Sequence, residues 1–182
     1  MGLTISLASI GITIVLLMMG GTQETSPTDP ALDTDTAKTQ VDSPVIVERK
    51  DGQVTWQLRA EEAQQQLDGK MHLITPSLIL FTDNGQKIHI DSKQAWFEPL
   101  SRNVRFQDQV IVRDETWTMH SKILIYDSGK DEISVPGTFS VEGKSIHAHG
   151  KQMHMHRITQ EIHVENGIWI EDSNPHWQGA IQ

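Results

Sequence analysis

Residues 104–112 read VRFQDQVIV, and the same arrangement returns as ISVPGTFSV at residues 133–141 and as IHVENGIWI at residues 162–170. Each copy begins 29 residues after the previous one, and its first, third, seventh and ninth residues are apolar. Apolar residues that alternate with polar ones are typical of a β-strand with one buried face. The copies therefore predict strands that bury one face in a shared interior and expose the other to water.

The centre of each copy holds a turn-forming residue, which is Asp108, Gly137 or Asn166, and a fainter copy precedes them around Trp56. Tandem units of this kind cannot bury their apolar faces alone, so neighbouring units must stack. We predict an all-β fold, an antiparallel β-jellyroll or flattened roll of two facing sheets built from repeats of about 29 residues. Helix propensity competes only in AEEAQQQL at residues 60–67, which we interpret as a strand with an irregular turn.

The apolar positions of the repeat predict a long interior lining. Its members are Ile88, Ile90, Phe97, Val104, Phe106, Val110, Met119, Tyr126, Val135, Phe139 and Met153. An acyl chain gains about 0.8 kcal/mol for each CH₂ group that it buries, so such a lining suits a lipid guest. The same side chains would also fill a sealed core, as the apolar faces of strands usually do, and the pattern alone leaves both interpretations open.

The two ends of a stack of strands are edges with unpaired backbone groups, which either are blunted or pair with another protein. The last apolar stretch of the chain is followed only by EDSNPHWQGAIQ, which offers little to cover such an edge. We therefore predict a C-terminal docking surface for a partner protein, formed by Ile162, Val164, Ile168 and Ile170.

The N-terminal part of the chain differs in composition from the rest. Residues 3–19 contain no charged residue and are just long enough to span a bilayer as a helix, although a cleaved signal peptide is an alternative. Residues 22–44 hold five acidic residues and one lysine with little to bury, which is typical of a flexible spacer. We predict a transmembrane anchor at 1–21, an acidic linker at 22–44, a β-jellyroll domain at 45–172 and a tail at 173–182.

Composition excludes several classes of function. The net charge of -9 argues against a nucleic-acid partner, and the lack of cysteine excludes disulfides and thiolate chemistry. No nucleophile elbow, zinc-protease motif or phosphate-binding glycine loop is present, so we predict neither an enzyme nor a cofactor. A β-solenoid enzyme acting on polysaccharides is the alternative from another class. It would need clustered Asp or Arg on one outer face, which the repeat does not show.

Two sets of polar residues suggest ligands but have simpler explanations. Closely spaced histidines on neighbouring predicted strands could hold zinc: His147, His149, His154 and His156. They alternate with apolar residues, which places them on the outward face of a strand, and we predict no metal site. Lys93, Lys122 and Lys151 recur at the repeat period and could contact lipid phosphates, but lysines at strand corners on a solvated face account for them equally well.

Four stretches of the chain resemble the LptC family, the bitopic subunit of the lipopolysaccharide export machinery of Gram-negative bacteria. They are DGQVTWQLRAEEA at 51–63, HLITPSLILF at 72–81, IDSKQAWFEP at 90–99 and VPGTFSVEG at 135–143. The order of an apolar N-terminal stretch, a polar linker and a repeat-built domain is also similar. The 29-residue unit is similar to the repeat of LptA and of the N-terminal domain of LptD.

The resemblance implies an inner-membrane protein whose folded domain is a periplasmic jellyroll open along one side. It implies that lipid A acyl chains, received from the inner-membrane ABC transporter at the N-terminal edge, are passed to LptA at the C-terminal edge. The family's two notable glycines fall on Gly52 and Gly137, at docking regions, and a lipid-contacting position falls on Leu73. A structural tether with a closed core, sharing the same fold and edges, is the alternative.

Overall fold

The computed structural model describes residues 39–82, 85–159 and 161–172, so the predicted anchor, most of the linker and the tail lie outside the described residues. No helix in the described part of the chain is long and apolar enough to cross a membrane. The described residues form fourteen strands. They are β1 (Gln40–Asp42), β2 (Val45–Lys50), β3 (Gln53–Arg59), β4 (Glu62–Gln65), β5 (Met71–Ile74), β6 (Ser77–Phe81), β7 (Lys87–Asp91), β8 (Gln94–Glu98), β9 (Asn103–Arg113), β10 (Trp117–Asp127), β11 (Glu132–Gly143), β12 (Ile146–His156), β13 (Ile162–Val164) and β14 (Ile168–Asp172).

All strand pairs are antiparallel, and the long strands β9 to β12 divide their pairing between two layers. The N-terminal half of β9 pairs with β8, whereas its C-terminal half pairs with β7. The first layer contains β1, β4, β5, β8, the first halves of β9 and β11, the second halves of β10 and β12, and β13. The second layer contains β2, β3, β6, β7, the remaining halves, and β14. The jellyroll is therefore one sheet folded over onto itself, so the two facing sheets predicted from the repeat are two layers of a single sheet.

The fold-over follows a row of bends, which we call the seam: residues 43–44, 60–61, 75–76, 92–93, 108–109, 121–122, 136–137, 150–152 and 165–167. Register shifts mark the bends in β10 and β11, and Asp108 and Gln152 adopt φ angles of 63° and 59°. Asp108, Gly137 and Asn166 lie on the seam, but Asp108 and Gly137 bend a continuous strand instead of ending one. The prediction of turns at these two positions is wrong in that respect, because an extra residue in one strand kinks the ladder without stopping it.

The core lies between the layers and forms one continuous cluster. It is assembled from alternate residues of every long strand, and its largest members, Trp56 and Tyr126, are each 1% exposed. The rings of Trp56 in β3 and Phe97 in β8, which belong to opposite layers, meet edge-on at 6.4 Å. This contact shows that the two apolar faces pack against each other.

The ends of the domain differ from the prediction in two places. β1 lies within the predicted linker, because Val41 packs against the core and β1 pairs with β4 in the first layer. Two strands therefore precede the turn at Gly52. The last apolar stretch is two short strands, β13 and β14, separated by a bend at Gly167 with φ of 83°. The segment 60–67 contains the expected strand, β4, followed by a turn that leaves Leu67 98% exposed.

Candidate functional site: the apolar interior, its rim and its edges

The structure places all twelve predicted lining residues in the interior. Each is at most 7% exposed, and all belong to the single core cluster: Leu73, Ile88, Ile90, Phe97, Val104, Phe106, Val110, Met119, Tyr126, Val135, Phe139 and Met153. Both layers contribute, and the cluster extends from β3 near the N-terminal edge to β12 near the C-terminal edge. The side chains fill the space between the layers, so a guest can occupy it only when the layers separate.

The margin opposite the seam, which we call the rim, is closed by side chains. Arg157, which follows β12 in the first layer, donates a hydrogen bond of 2.5 Å to the carbonyl oxygen of Phe81 at the end of β6 in the second layer. Its guanidinium also pairs with Asp131 at 2.6 Å and 2.8 Å. Arg157 is only 9% exposed. Its bond to Phe81 joins the layers, whereas its pair with Asp131, in the turn between β10 and β11, lies within the first layer.

A second rim contact lies closer to the N-terminal edge. The carboxylate of Glu48 in β2 pairs with Arg102 at 3.3 Å and accepts a hydrogen bond from the hydroxyl of Ser128 at 3.3 Å. Arg102 and Ser128 belong to turns of the first layer, whereas Glu48 belongs to the second. This contact also bridges the layers, but it is more accessible to water than the Arg157 pair.

Tyr126 connects the rim to the apolar lining. Its ring is 1% exposed within the core, and its hydroxyl donates a hydrogen bond of 3.1 Å to Asp131. Burial, reinforced by the negative charge of Asp131, raises the pKa of the Tyr126 hydroxyl above its usual range. Sequence reasoning predicted Tyr126 as a lining residue but missed Arg157, Asp131 and Glu48, because the residue types at these positions do not recur from one copy to the next.

The C-terminal edge is apolar and exposed. Ile162, Ile168 and Ile170, three of the predicted docking residues, are 60%, 48% and 59% exposed, whereas Val164 packs against the core. Trp169 adds an exposed indole to this edge, and the sequence analysis missed it although it lies between two predicted positions. Among the described residues, β13 and β14 each pair only with β12, so their outer sides carry no strand partner there.

The two glycines implied by the resemblance occupy different parts of the fold. Gly52 lies with Asp51 in the turn between β2 and β3, and β2 pairs within the described residues only with β3, so this turn is at the N-terminal edge. Gly137 lies on the seam in the middle of β11, which pairs with β10 and β12 on its two sides. The structure therefore brings Gly52 to an edge but not Gly137.

The four predicted histidines lie on the outer face of one strand, β12, so the prediction that they occupy neighbouring strands is wrong. His154 contacts the carboxylate of Glu132 at 3.2 Å and that of Glu165 at 3.7 Å, and the hydrogen bonds of Glu132 with His154 and Ser134 lower the pKa of its carboxyl. In the described part of the chain, no group of three or more His, Cys, Asp or Glu residues is arranged to hold a metal ion. The three periodic lysines are exposed on the seam: Lys93, Lys122 and Lys151.

Comparison with curated protein sequences gives no match to this chain. Comparison with family models gives a match over residues 3–168 to the family described as "Lipopolysaccharide-assembly, LptC-related". The match covers the strands from β1 to β13 and agrees with the all-β architecture. The chain therefore belongs to the LptC-related family of lipopolysaccharide-assembly proteins.

Proposed function

We propose that this protein accepts lipopolysaccharide from the inner-membrane ABC transporter and passes it to LptA, holding the acyl chains between the two layers. The observation that carries the proposal is the single apolar cluster that runs from the N-terminal to the C-terminal part of the fold. Residues of this cluster alternate along strands whose outer faces are polar, so acyl chains between the layers would meet an almost entirely apolar lining. Each CH₂ group transferred there contributes about 0.8 kcal/mol.

The edges support the proposed partners. A transporter domain of similar architecture would continue the layers at β1 and β2, and LptA would continue them at β13 and β14 by adding strands. Exposed apolar side chains at the C-terminal edge, such as Trp169, would be buried by such a partner. The uncharged residues 3–19 would anchor the chain in the inner membrane and leave the folded domain in the periplasm.

The rim supports a route for the guest. The interior is filled, so the layers must move apart, and the rim contacts of Arg157 and Glu48 are few compared with the backbone ladder that continues across the seam. Lipid would therefore enter sideways at the rim, with its head group outside. The process needs no catalytic residue or cofactor from this chain.

A structural tether with a closed core is the second candidate, and the dense packing of the interior favours it. The two functions can be distinguished by placing photo-crosslinking residues at Leu73 and Phe106, which lie in the core, and supplying energy to the transporter. Crosslinkers at Arg105 and Thr138, which are exposed, are the matched controls. We expect lipopolysaccharide to be labelled from the interior positions only. Equal labelling from both pairs, or none from either, would favour the tether.

A further inference from the structure

The indole of Trp56 carries a hydrogen-bond donor that the fold leaves unused. Trp56 is 1% exposed, and its Nε1 makes no hydrogen bond among the described residues. Buried tryptophans usually find a partner for this N–H, since leaving a buried donor unpaired costs on the order of 1–3 kcal/mol. Phenylalanine or leucine would bury apolar surface at this position without that cost. The retained N–H therefore points to a partner that arrives from outside.

None of the described neighbours of Trp56 makes a hydrogen bond with its Nε1. On the second layer Trp56 lies between Glu48 and Leu80, its cross-strand partners, and across the interior its ring meets Phe97. Of these three neighbours only Glu48 has a polar side chain, and its Oε2 is engaged by Arg102 and Ser128.

The depth of Trp56 in the interior indicates which part of a guest it would meet. β3 runs from the turn at Gly52, on the rim, to the bend at residues 60–61, on the seam. Trp56 is the buried residue of this strand nearest to the rim, and Leu58 lies deeper. An amphiphile that enters at the rim extends its chain ends toward the seam. Its linkages between chains and head group then remain at the depth of Trp56.

We propose that the indole N–H of Trp56 donates a hydrogen bond to a carbonyl oxygen that links an acyl chain to the head group of the bound lipid. The proposal rests on the proposed function and deepens it, because it assigns a polar contact within an otherwise apolar site. Trp56 thereby distinguishes acyl chains, which carry a carbonyl, from alkyl chains of the same length. A net hydrogen bond of about 0.5–1.5 kcal/mol corresponds to a preference of roughly two- to tenfold.

The test uses the full-length chain in phosphatidylcholine nanodiscs and two synthetic probes. One is a glucosamine 1-phosphate with two ester-linked acyl chains, and the other is its analogue with ether-linked alkyl chains of equal length. Displacement of fluorescent lipopolysaccharide gives the dissociation constant of each probe. We expect the wild type to bind the ester probe about two- to tenfold more tightly, and Trp56→Phe to bind both probes alike. Trp96→Phe, which removes an indole from the outer face of β8, should keep the preference.

Nuclear magnetic resonance of the indole N–H groups tests the proposal on the wild type, so it can be used even if Trp56→Phe folds poorly. The Trp56 signal of the wild type should move downfield with the ester probe and not with the ether probe. Equal binding of both probes to the wild type, an unmoved signal, or failure of both probes to displace lipopolysaccharide overturns the role of Trp56 but leaves lipid carriage intact. Failure of fluorescent lipopolysaccharide itself to bind overturns both proposals.

Discussion

The seam and the rim close the same interior by different means. At the seam the chain itself passes from one layer to the other, and backbone hydrogen bonds continue across the bends, as from Thr75 N to Lys93 O at 2.9 Å and from Lys93 N to Asp108 O at 3.0 Å. At the rim the layers meet through side chains, chiefly those of Arg157 and Glu48. One margin is built to stay closed, whereas the other can open without breaking a strand pair.

The difference shows how a filled core can still accept a guest. Separating the layers at the seam would break a row of backbone hydrogen bonds, whereas separating them at the rim exchanges a few polar side-chain contacts for contacts with water or lipid. The apolar side chains facing each other would exchange one hydrocarbon neighbour for another. We therefore expect substitutions at the rim to alter lipid uptake, and substitutions at the seam to alter stability alone.

The largest effect is expected from breaking the buried rim contact. Arg157→Met leaves the Asp131 carboxylate without its cation in a shielded site, so the free energy of unfolding should fall by about 3–5 kcal/mol in urea denaturation. Arg105→Met, at an exposed position, is the control and should change it by less than about 0.5 kcal/mol. Similar losses in both variants would show that the contacts of Arg157 contribute no more to stability than an exposed arginine does.

A smaller effect is expected from crowding the seam. A Cβ atom at Gly150 would lie 2.7 Å from the buried ring of Phe139 and 3.1 Å from the carbonyl oxygen of Gly167. Gly150→Ala should therefore lower the free energy of unfolding by about 1–3 kcal/mol. Gly137→Ala, where a Cβ meets nothing within 4 Å, should be nearly neutral. If lipid crosslinking at Phe106 also fell selectively in Gly150→Ala, the assignment of a purely structural role to the seam would be wrong.

Alkaline pH should act on the rim through Tyr126. Its folded-state pKa is raised, chiefly by burial, so its contribution to stability is present below the unfolded-state pKa of about 10 and is lost as pH rises above that value. The slope attributable to this group approaches about 1.4 kcal/mol per pH unit and should be absent in Tyr126→Phe. Tyr126 is the chain's single tyrosine, so absorbance near 295 nm reports its ionisation directly. Titration near pH 10 in the folded protein would contradict the expected burial.

The smallest effect on stability is expected from the accessible rim contact. Glu48→Ala removes a partly exposed ion pair and should cost less than about 1 kcal/mol. Asp91→Ala removes the exposed pair with Arg113 on the outer side of β7 and β9 and serves as the control. Although the two losses of stability are similar, we expect only Glu48→Ala to increase lipopolysaccharide crosslinking at Phe106. If Asp91→Ala increased crosslinking at Phe106 equally, opening of the rim would not control lipid uptake.

The repeat predicted the interior because alternation within strands determines which side chains are buried, independently of where each strand lies. It predicted Val104, Phe106 and Tyr126 as interior residues, and all three are buried between the layers. The rim could not be predicted in this way. Arg157 meets Phe81 from 76 residues away, and Ser128 meets Glu48 from 80 residues away, so these contacts depend on how the whole sheet folds over.

The bend between β13 and β14 imposes a condition on any protein that joins the C-terminal edge. Because Gly167 turns the chain there with φ of 83°, the edge consists of two short ladders set at an angle instead of one long straight ladder. A straight strand from a misfolded chain can pair with only one of the two ladders. A partner whose edge strand bends at the matching position can pair with both β13 and β14. Curvature thus protects this edge from open-ended aggregation while leaving it available to a matching jellyroll.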